Sequence, residues 1–227
     1  HYTSSLSLAR NQHAAMRRTK EDAEKTRIAI LEAAETLFLE KGVAHTSLEH
    51  IARQAGVTRG AVYWHFANKA DLFNAMLNQV RLPPEQLAER MHGCAEHDPL
   101  QTLRELCIDA ITNLVHNPQK RRIFTILLRR CEFTEELREA EERHEAFINL
   151  FIELCEQQFD SPQVRPRLQS GLSPRLAARA VHALLVGLFH DWLRDPNLFD
   201  PLSDTEPMVD ACFRGLIRDW PAAALQN

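Results

Sequence analysis

The sequence predicts an all-helical protein of about nine helices, with a three-helix helix-turn-helix unit at its N-terminal end and a larger helical domain behind it. Three observations carry that prediction. Only 7 glycines occur in 227 residues, and long stretches are rich in Leu, Ala, Glu and Arg. Apolar residues recur at i, i+3, i+4 and i+7 through most of the chain. Between those stretches stand helix-start signals, a Ser, Thr, Asp or Asn followed by a proline or an acidic residue. With 44% apolar residues the chain is long enough to bury a real core, as one large domain or two small ones.

Residues 1–16 (HYTSSLSLARNQHAAM) are polar and Ser-rich and lack the apolar core of a signal peptide. They are read as upstream-start or expression-derived sequence, disordered and without function. From about Glu21 to Lys41, Ile30, Ala33, Ala34, Leu37 and Phe38 form the stripe of an amphipathic helix that Gly42 closes. Thr46 with Glu49 three residues on reads as a capping box for a second helix. Leu48, Ile51, Ala52 and Ala55 carry that helix to about Gln54, and Gly56 stops it. Thr58 then caps a third helix from Arg59 to about His65.

Two short helices joined through a glycine turn are the helix-turn-helix pattern, and its second helix is where a DNA reader carries its chemistry. Arg59 lies in the first turn of that helix, where a guanidinium reaches guanine O6 and N7. Thr58, Tyr63 and His65 offer donors suited to phosphates. The basic start of the first helix (Arg17, Arg18, Lys20, Lys25, Arg27) can reach a flanking minor groove or the backbone; the alternative is a merely solvated charged face. A formal charge of −4 argues against non-specific coating of DNA but not against a local reader.

Asn68, with Asp71 three residues later, caps the next helix, and Lys69 in its first turn can touch a phosphate. The reader is placed at 17–66 and the second domain at 67–227. Leu72, Phe73, Met76, Leu77 and Val80 continue the apolar stripe toward Met91, but Pro83-Pro84 predicts a kink or break near Leu82. Asp98-Pro99 opens a helix ending near His116, and Asn117-Pro118 opens the next. Thr134 is expected to cap a long helix through Phe159; residues 160–173, with two prolines and a glycine, read as a loop. Ser173-Pro174 starts a helix to about Arg194, and a last helix is expected from about Glu206 to Trp220.

The run from Gly56 to Phe66 (GVTRGAVYWHF) with Asn68-Lys69 resembles the DNA-binding domain of the TetR family of transcriptional repressors. Arg18-Thr19-Lys20, Lys25-Thr26-Arg27, Ile30, Ala33, Ala34, Leu37, Phe38 and Gly42-Val43 match as well. Within the family the chain is similar to the AcrR- and TtgR-like branch that represses multidrug efflux pumps. The resemblance is strong over about 17–80 and thins beyond, with one patch at Arg130-Cys131-Glu132-Phe133-Thr134. It extends the DNA-binding set to Lys25, Thr26, Arg27, Thr46, Thr58, Arg59, Gly60, Tyr63, Trp64, His65 and Lys69. The operator implied is a palindrome, matched by a two-fold dimer.

The family pairs its last two helices in a four-helix dimer bundle. Here that implies a face drawn from Ala180, Ala183, Leu184, Gly187, Leu188 and Asp191, with Met208, Ala211, Cys212, Gly215 and Leu216; the alternative is packing within one subunit. An aromatic-rich helical core can hold an apolar cavity. Its candidate lining is Thr112, Asn113, His116, Phe124, Leu127, Cys131, Phe147, Phe151, His182, Val186, Phe189 and His190, any of which can instead be ordinary core. Thr112 and His116 rank first, because TtgR-like relatives place polar pocket groups there. The expected partners are operator DNA, a small hydrophobic or aromatic inducer and a second copy of the chain, with no cofactor.

The remaining patterns exclude other classes. Five scattered cysteines without CxxC spacing read as small apolar packers in a reducing cytoplasm. No unbroken run of about 18 apolar residues occurs. His92, Cys94 and His97 form the tightest His/Cys cluster, but its spacing fits no common zinc signature and a fourth ligand is lacking, so no metal site is expected. No GxSxG, P-loop or HExxH motif occurs, and carboxylate pairs such as Glu135-Glu136 and Glu141-Glu142 read as solvated helix faces, so an enzyme is not expected. A family regulator of a metabolic operon that answers to one metabolite remains the alternative, and sequence does not separate repressor from activator.

Overall fold

The computed structural model describes residues 2–93 and 98–221, with side chains placed over 19–90 and 98–221. Ten α-helices and no extended strand occur among the described residues, and they divide into two compact units. One runs through Leu77 and takes in 130–138; the other comprises 78–129 and the chain from Glu139 onward.

In the first unit, α1 (Tyr2–Lys41) is followed by α2 (Leu48–Ala55), α3 (Arg59–His65) and α4 (Lys69–Leu77). The backbone of 2–16, expected to be disordered, is helical, since no proline or glycine stands between Tyr2 and Lys41 to stop the helix. The side chains of that stretch, and the His92/Cys94/His97 cluster, lie outside the described residues. Ile30, Leu31, Ala34, Leu37 and Phe38 of α1 meet Leu48 and Ile51 of α2, Val62 of α3, and Leu72, Phe73 and Met76 of α4 in one buried core. The rings of Phe38 and Phe73 stand 6.1 Å apart. Each large side chain in that core contributes about 1.5–3 kcal/mol by leaving water.

The cap of α2 differs from the expectation. Ser47, not Thr46, is the N-cap: its hydroxyl accepts from the His50 N–H at 3.1 Å, while His50 Nδ1 accepts from the Ser47 N–H at 3.4 Å. Thr46 is drawn inward, where its hydroxyl donates to the Gly42 carbonyl at 2.8 Å with the Leu37 carbonyl 3.4 Å away. Those oxygens belong to the end of α1, where carbonyls lack helical partners. Gly56 ends α2 at φ +68°, as a left-handed cap requires. Asn68 accepts from the Asp71 N–H at 2.8 Å as expected, but Asp71 reaches back one residue further, to the Ala67 N–H at 2.9 Å.

The boundary of this unit lies beyond the expected 66, because α4 packs its apolar side against α1. The excursion 130–138 joins the same unit. The Val43 N–H donates to the Arg130 carbonyl at 2.9 Å, and Leu137, in a 3-10 turn at Glu135–Leu137, is fully buried.

The second unit contains α5 (Pro83–Gly93), α6 (Pro99–His116), α7 (Pro118–Thr125), most of α8 (Arg138–Phe159), α9 (Pro174–Arg194) and α10 (Pro201–Leu216). The break expected near Leu82 is present, and α5 starts on Pro83. Asp98, Asn117, Ser173 and Asp200 cap α6, α7, α9 and α10, each with a proline next. Thr134 makes no side-chain cap bond; the 3-10 turn after it leads into α8 instead. Pro201, capped by Asp200, starts α10 ahead of the expected Glu206, and the helix stops at Leu216. Ile217 then bridges antiparallel to Leu168, so the 160–173 segment is anchored rather than loose. The guanidinium of Arg104 on α6 grips Asp210 of α10 with bonds of 2.7 and 2.9 Å, which holds that carboxyl below its ordinary pKa. α9 is long and apolar enough to cross a membrane by length and composition, although Arg179, His182 and His190 interrupt its apolar run. Ala177, Ala178, Val181, Leu185, Leu188, Phe189 and Trp192 of that helix are buried in this unit's core.

Candidate functional site

The exposed face of α3 is built by the caps around it. Thr58 accepts from the Ala61 N–H at 3.1 Å, which fixes where the helix begins. Val62 anchors the buried side, leaving Arg59, Gly60, Tyr63 and Trp64 facing outward. Trp64 is 73% exposed, a large apolar area to leave in water without a partner. Arg59 and Tyr63, one turn apart, hold each other: the guanidinium lies 5.4 Å from the ring centroid and donates to the phenol oxygen at 3.4 Å. That arrangement presents a cation and a hydroxyl together. His65 sits half-buried with its ring edge-on to Trp64 at 4.6 Å. Burial, and then the charge of Arg27, lowers its pKa, so the imidazole is neutral at pH 7.

Midway along α1, Lys25 is exposed with Asp22 4.0 Å away, and Thr26 spends its hydroxyl on the Asp22 carbonyl. Arg27 lies over the Phe66 ring at 5.4 Å. Two residues of the expected set are turned into the fold. Thr46 is 1% exposed and committed to carbonyls of the α1 terminus. The Lys69 side chain is 2% exposed and pairs with Glu136 at 3.0 Å, because α4 packs its first turn against the 130–138 excursion. Glu136 is therefore not merely a solvated helix-face carboxylate, as its sequence suggested.

Within the second unit a cavity of about 280 Å³ opens between α7, α8 and α9, floored by Leu82, Pro83 and Pro84. Eight of the twelve expected lining residues meet there: Phe124, Leu127, Phe147, Phe151, His182, Val186, Phe189 and His190. The rings of Phe124 and Phe189 lie 4.9 Å apart, tilted by 43°, and Phe151 lies 6.1 Å from the His182 ring. Burial, then the neighbouring His182, lowers the pKa of His144; burial, then Arg179, does the same to His182. The walls are thus apolar and aromatic with neutral imidazoles, a surface that accepts flat, weakly polar molecules.

Four expected residues lie elsewhere. Thr112 donates its hydroxyl to the Ile108 carbonyl of its own helix at 3.0 Å. Cys131 belongs to the excursion in the first unit. Asn113 and His116 line a second, polar cavity at the end of α6. Sequence reading missed Pro83-Pro84, Leu128, His144, Ile148 and Leu185 as lining. The double proline was legible only as a break. His144 is spaced i, i+3, i+7 with Phe147 and Phe151 on α8, and that shared face was the available signal.

Residues 30–76 match the model of bacterial regulatory proteins of the tetR family, and 98–217 match the C-terminal region of MAATS-type transcriptional repressors. The chain belongs to the TetR family. It is 39% identical to the HTH-type transcriptional regulator TtgR of Pseudomonas putida over 195 residues, covering 86% of this chain and 93% of that one. The crystal structure of NalD, the secondary repressor of the MexAB-OprM multidrug efflux pump in Pseudomonas aeruginosa, superposes with a TM-score of 0.83 at 66% identity, covering 88% of this chain and all of that one. The complex of SmeT, a Stenotrophomonas maltophilia efflux-pump repressor, with triclosan has a TM-score of 0.74 at 32% identity, covering 89% and 98%.

As a TetR-family protein this chain is a helix-turn-helix transcriptional regulator, and α3 is the second helix of that motif. Of the side chains expected at a dimer face, Ala183, Gly187, Asp191, Ala211 and Gly215 are exposed, and Ala180, Leu184, Met208 and Cys212 are half-buried. A Cβ added at Gly187 or Gly215 would meet nothing within 4 Å, so the helix surface is open to close approach there. Leu188 and Leu216 are corrections: both are buried in the subunit's own core.

Proposed function

We propose that the protein is a ligand-responsive repressor that binds a palindromic operator as a homodimer and leaves it when a small hydrophobic or aromatic compound fills the α7–α8–α9 cavity. The regulated genes are those of a multidrug efflux pump, and the protein acts in the cytoplasm. Relatives described as efflux-pump repressors, TtgR-like sequence over most of the chain, and a triclosan complex of SmeT support this reading. The observation that carries it is an aromatic cavity in the same chain as an exposed reader helix.

The dimer face is the open side of α9 and α10, where small residues leave room for a partner's helices. Leu176, exposed on α9 one turn before Ala180, adds apolar area to it. Two readers spaced by about 34 Å, or a multiple, fit successive major grooves on one side of DNA. A ligand shifts that population only by its difference in affinity between the DNA-competent and released states. No cofactor and no catalytic step enters.

Arg59 is the deciding residue for sequence reading. In gel shifts with the operator selected from genomic DNA, Arg59→Ala is expected to cost about 1–3 kcal/mol, roughly 5- to 150-fold in affinity, and to relax selectivity at one base pair. Full affinity and selectivity in that variant would refute the assignment. A screen of chemically diverse drugs by thermal shift tests the other half; if none stabilises the protein or releases DNA, a sensor dedicated to one metabolite replaces the multidrug reading.

A further inference from the structure

The second cavity of the ligand-binding unit, about 430 Å³, is bounded by Gln79, Val80, Arg81 and Gln86 on one side and by the α6–α7 junction, Asn113 to Lys120, on the other. Its chemistry is unlike that of the aromatic cavity. Lys120 is 4% exposed, yet no hydrogen bond or ion pair engages its ammonium among the described residues. Its Nζ lies 5.9 Å from the Phe124 ring centroid. Asp109, whose field reaches Lys120, is already held by Arg90. A buried cation with no anionic partner is costly, and proteins ordinarily neutralise one.

Three further observations fix what would neutralise it. Among the described residues no carboxylate lines the cavity, whereas His116 does, as does Arg81, which is itself paired with Glu89. Asn117, whose side chain caps α7, places Lys120 in that helix's first turn, so the helix dipole adds positive potential at the same spot. The Gln86 Oε1 is buried and accepts no hydrogen bond. An acceptor left open in the same cavity as an open cation calls for a ligand that brings both an anionic oxygen and a donor.

We propose that this cavity is a binding site for a small organic carboxylate bearing a hydroxyl or N–H group, its carboxylate on Lys120 and its donor on Gln86. The site is separate from the aromatic cavity, although Phe124 lies one turn of α7 beyond Lys120 and lines that other cavity. The assignment does not rest on the efflux reading, and binding is measured directly rather than through operator release.

Isothermal titration of the whole chain with mandelate, which carries a hydroxyl beside its carboxylate, tests it. The arms are mandelamide, the neutral isostere, and inorganic phosphate, a bare anion. Saturable binding of mandelate is expected, with at least tenfold weaker binding of mandelamide and of phosphate. Lys120→Met is expected to weaken mandelate at least tenfold and to melt no lower than the unaltered protein, since it removes an uncompensated buried charge. Gln86→Met, which leaves the cation in place, is expected to weaken mandelate severalfold while leaving phosphate unchanged, and it decides the matter should Lys120→Met not fold. No saturable binding of mandelate, equal binding of mandelate and phosphate, or mandelate affinity unaltered in a folded Lys120→Met or Gln86→Met would overturn the proposal.

Discussion

The pair Lys69–Glu136 gives an asymmetric prediction. Lys69 offers only 2% of its side chain to solvent, whereas Glu136 keeps 59% exposed, and the ammonium donates to the carboxylate at 3.0 Å. Glu136→Ala strands a buried cation. Breaking a fully buried pair costs about 3–5 kcal/mol. Because water reaches the Glu136 side, a loss of about 1–3 kcal/mol is expected, the range for an unsatisfied buried polar group. Lys69→Met does the reverse, leaving a carboxylate that water already solvates and keeping an apolar stem of similar length, so it should cost no more than about 1 kcal/mol. At roughly 2–4 °C per kcal/mol for a chain of this size, the two variants separate cleanly in thermal melts at fixed protein concentration. Glu136→Ala melting with the unaltered protein, or Lys69→Met losing more than Glu136→Ala, would refute the argument. The same variant settles where Lys69 acts. As a residue of the fold, it leaves operator affinity within about twofold on Met substitution; as a phosphate contact, its loss would weaken binding and lower the salt slope by about one.

Three further outcomes follow from the geometry. Thr46→Val keeps shape but leaves the Gly42 carbonyl without its 2.8 Å donor, so urea unfolding should show a loss of about 1–2 kcal/mol with operator affinity per folded molecule unchanged. Gly56→Ala forces a Cβ into φ +68°; the space around it is open, so the expected loss of about 1–2 kcal/mol is purely conformational, and an Asn in its place should recover part of it. His144 and His182 have folded pKa values below the unfolded value of about 6.5, so above that pH both states are neutral and stability is unaffected. As pH falls below it, the unfolded chain takes up protons that the folded one resists, and stability drops until the folded pKa values are reached. The melting temperature should therefore hold from pH 7.5 to about 6.5 and decline toward 5.5, and replacing both histidines with Phe should flatten that decline; an unaltered slope would show that other groups carry it.

Local chemistry made the reader legible. The caps at Thr58 and Asn68, the left-handed Gly56 and the stripe of α1 each depend on residues within a few positions, and the helix-turn-helix lies where they put it. The prolines after Asp98, Asn117 and Ser173 marked three helix starts for the same reason, and Asp200-Pro201 starts α10 in the same way, ahead of the expected Glu206. The aromatic cavity was partly legible, since Phe124, Phe147, Phe151 and Phe189 sit on buried faces of periodic helices.

What the sequence alone determined is therefore the helical class, the position of the reader and its exposed chemistry, all consequences of short-range spacing and backbone preference. Tertiary structure decided which of two adjacent hydroxyls caps α2, that Lys69 points inward to a carboxylate 67 residues away, and that Asn113 and His116 belong to a polar hollow instead of the aromatic one. Each of those outcomes depends on which helix faces meet. Periodicity says that a face is buried, but not against what, and a polar group's partner is set by that second fact.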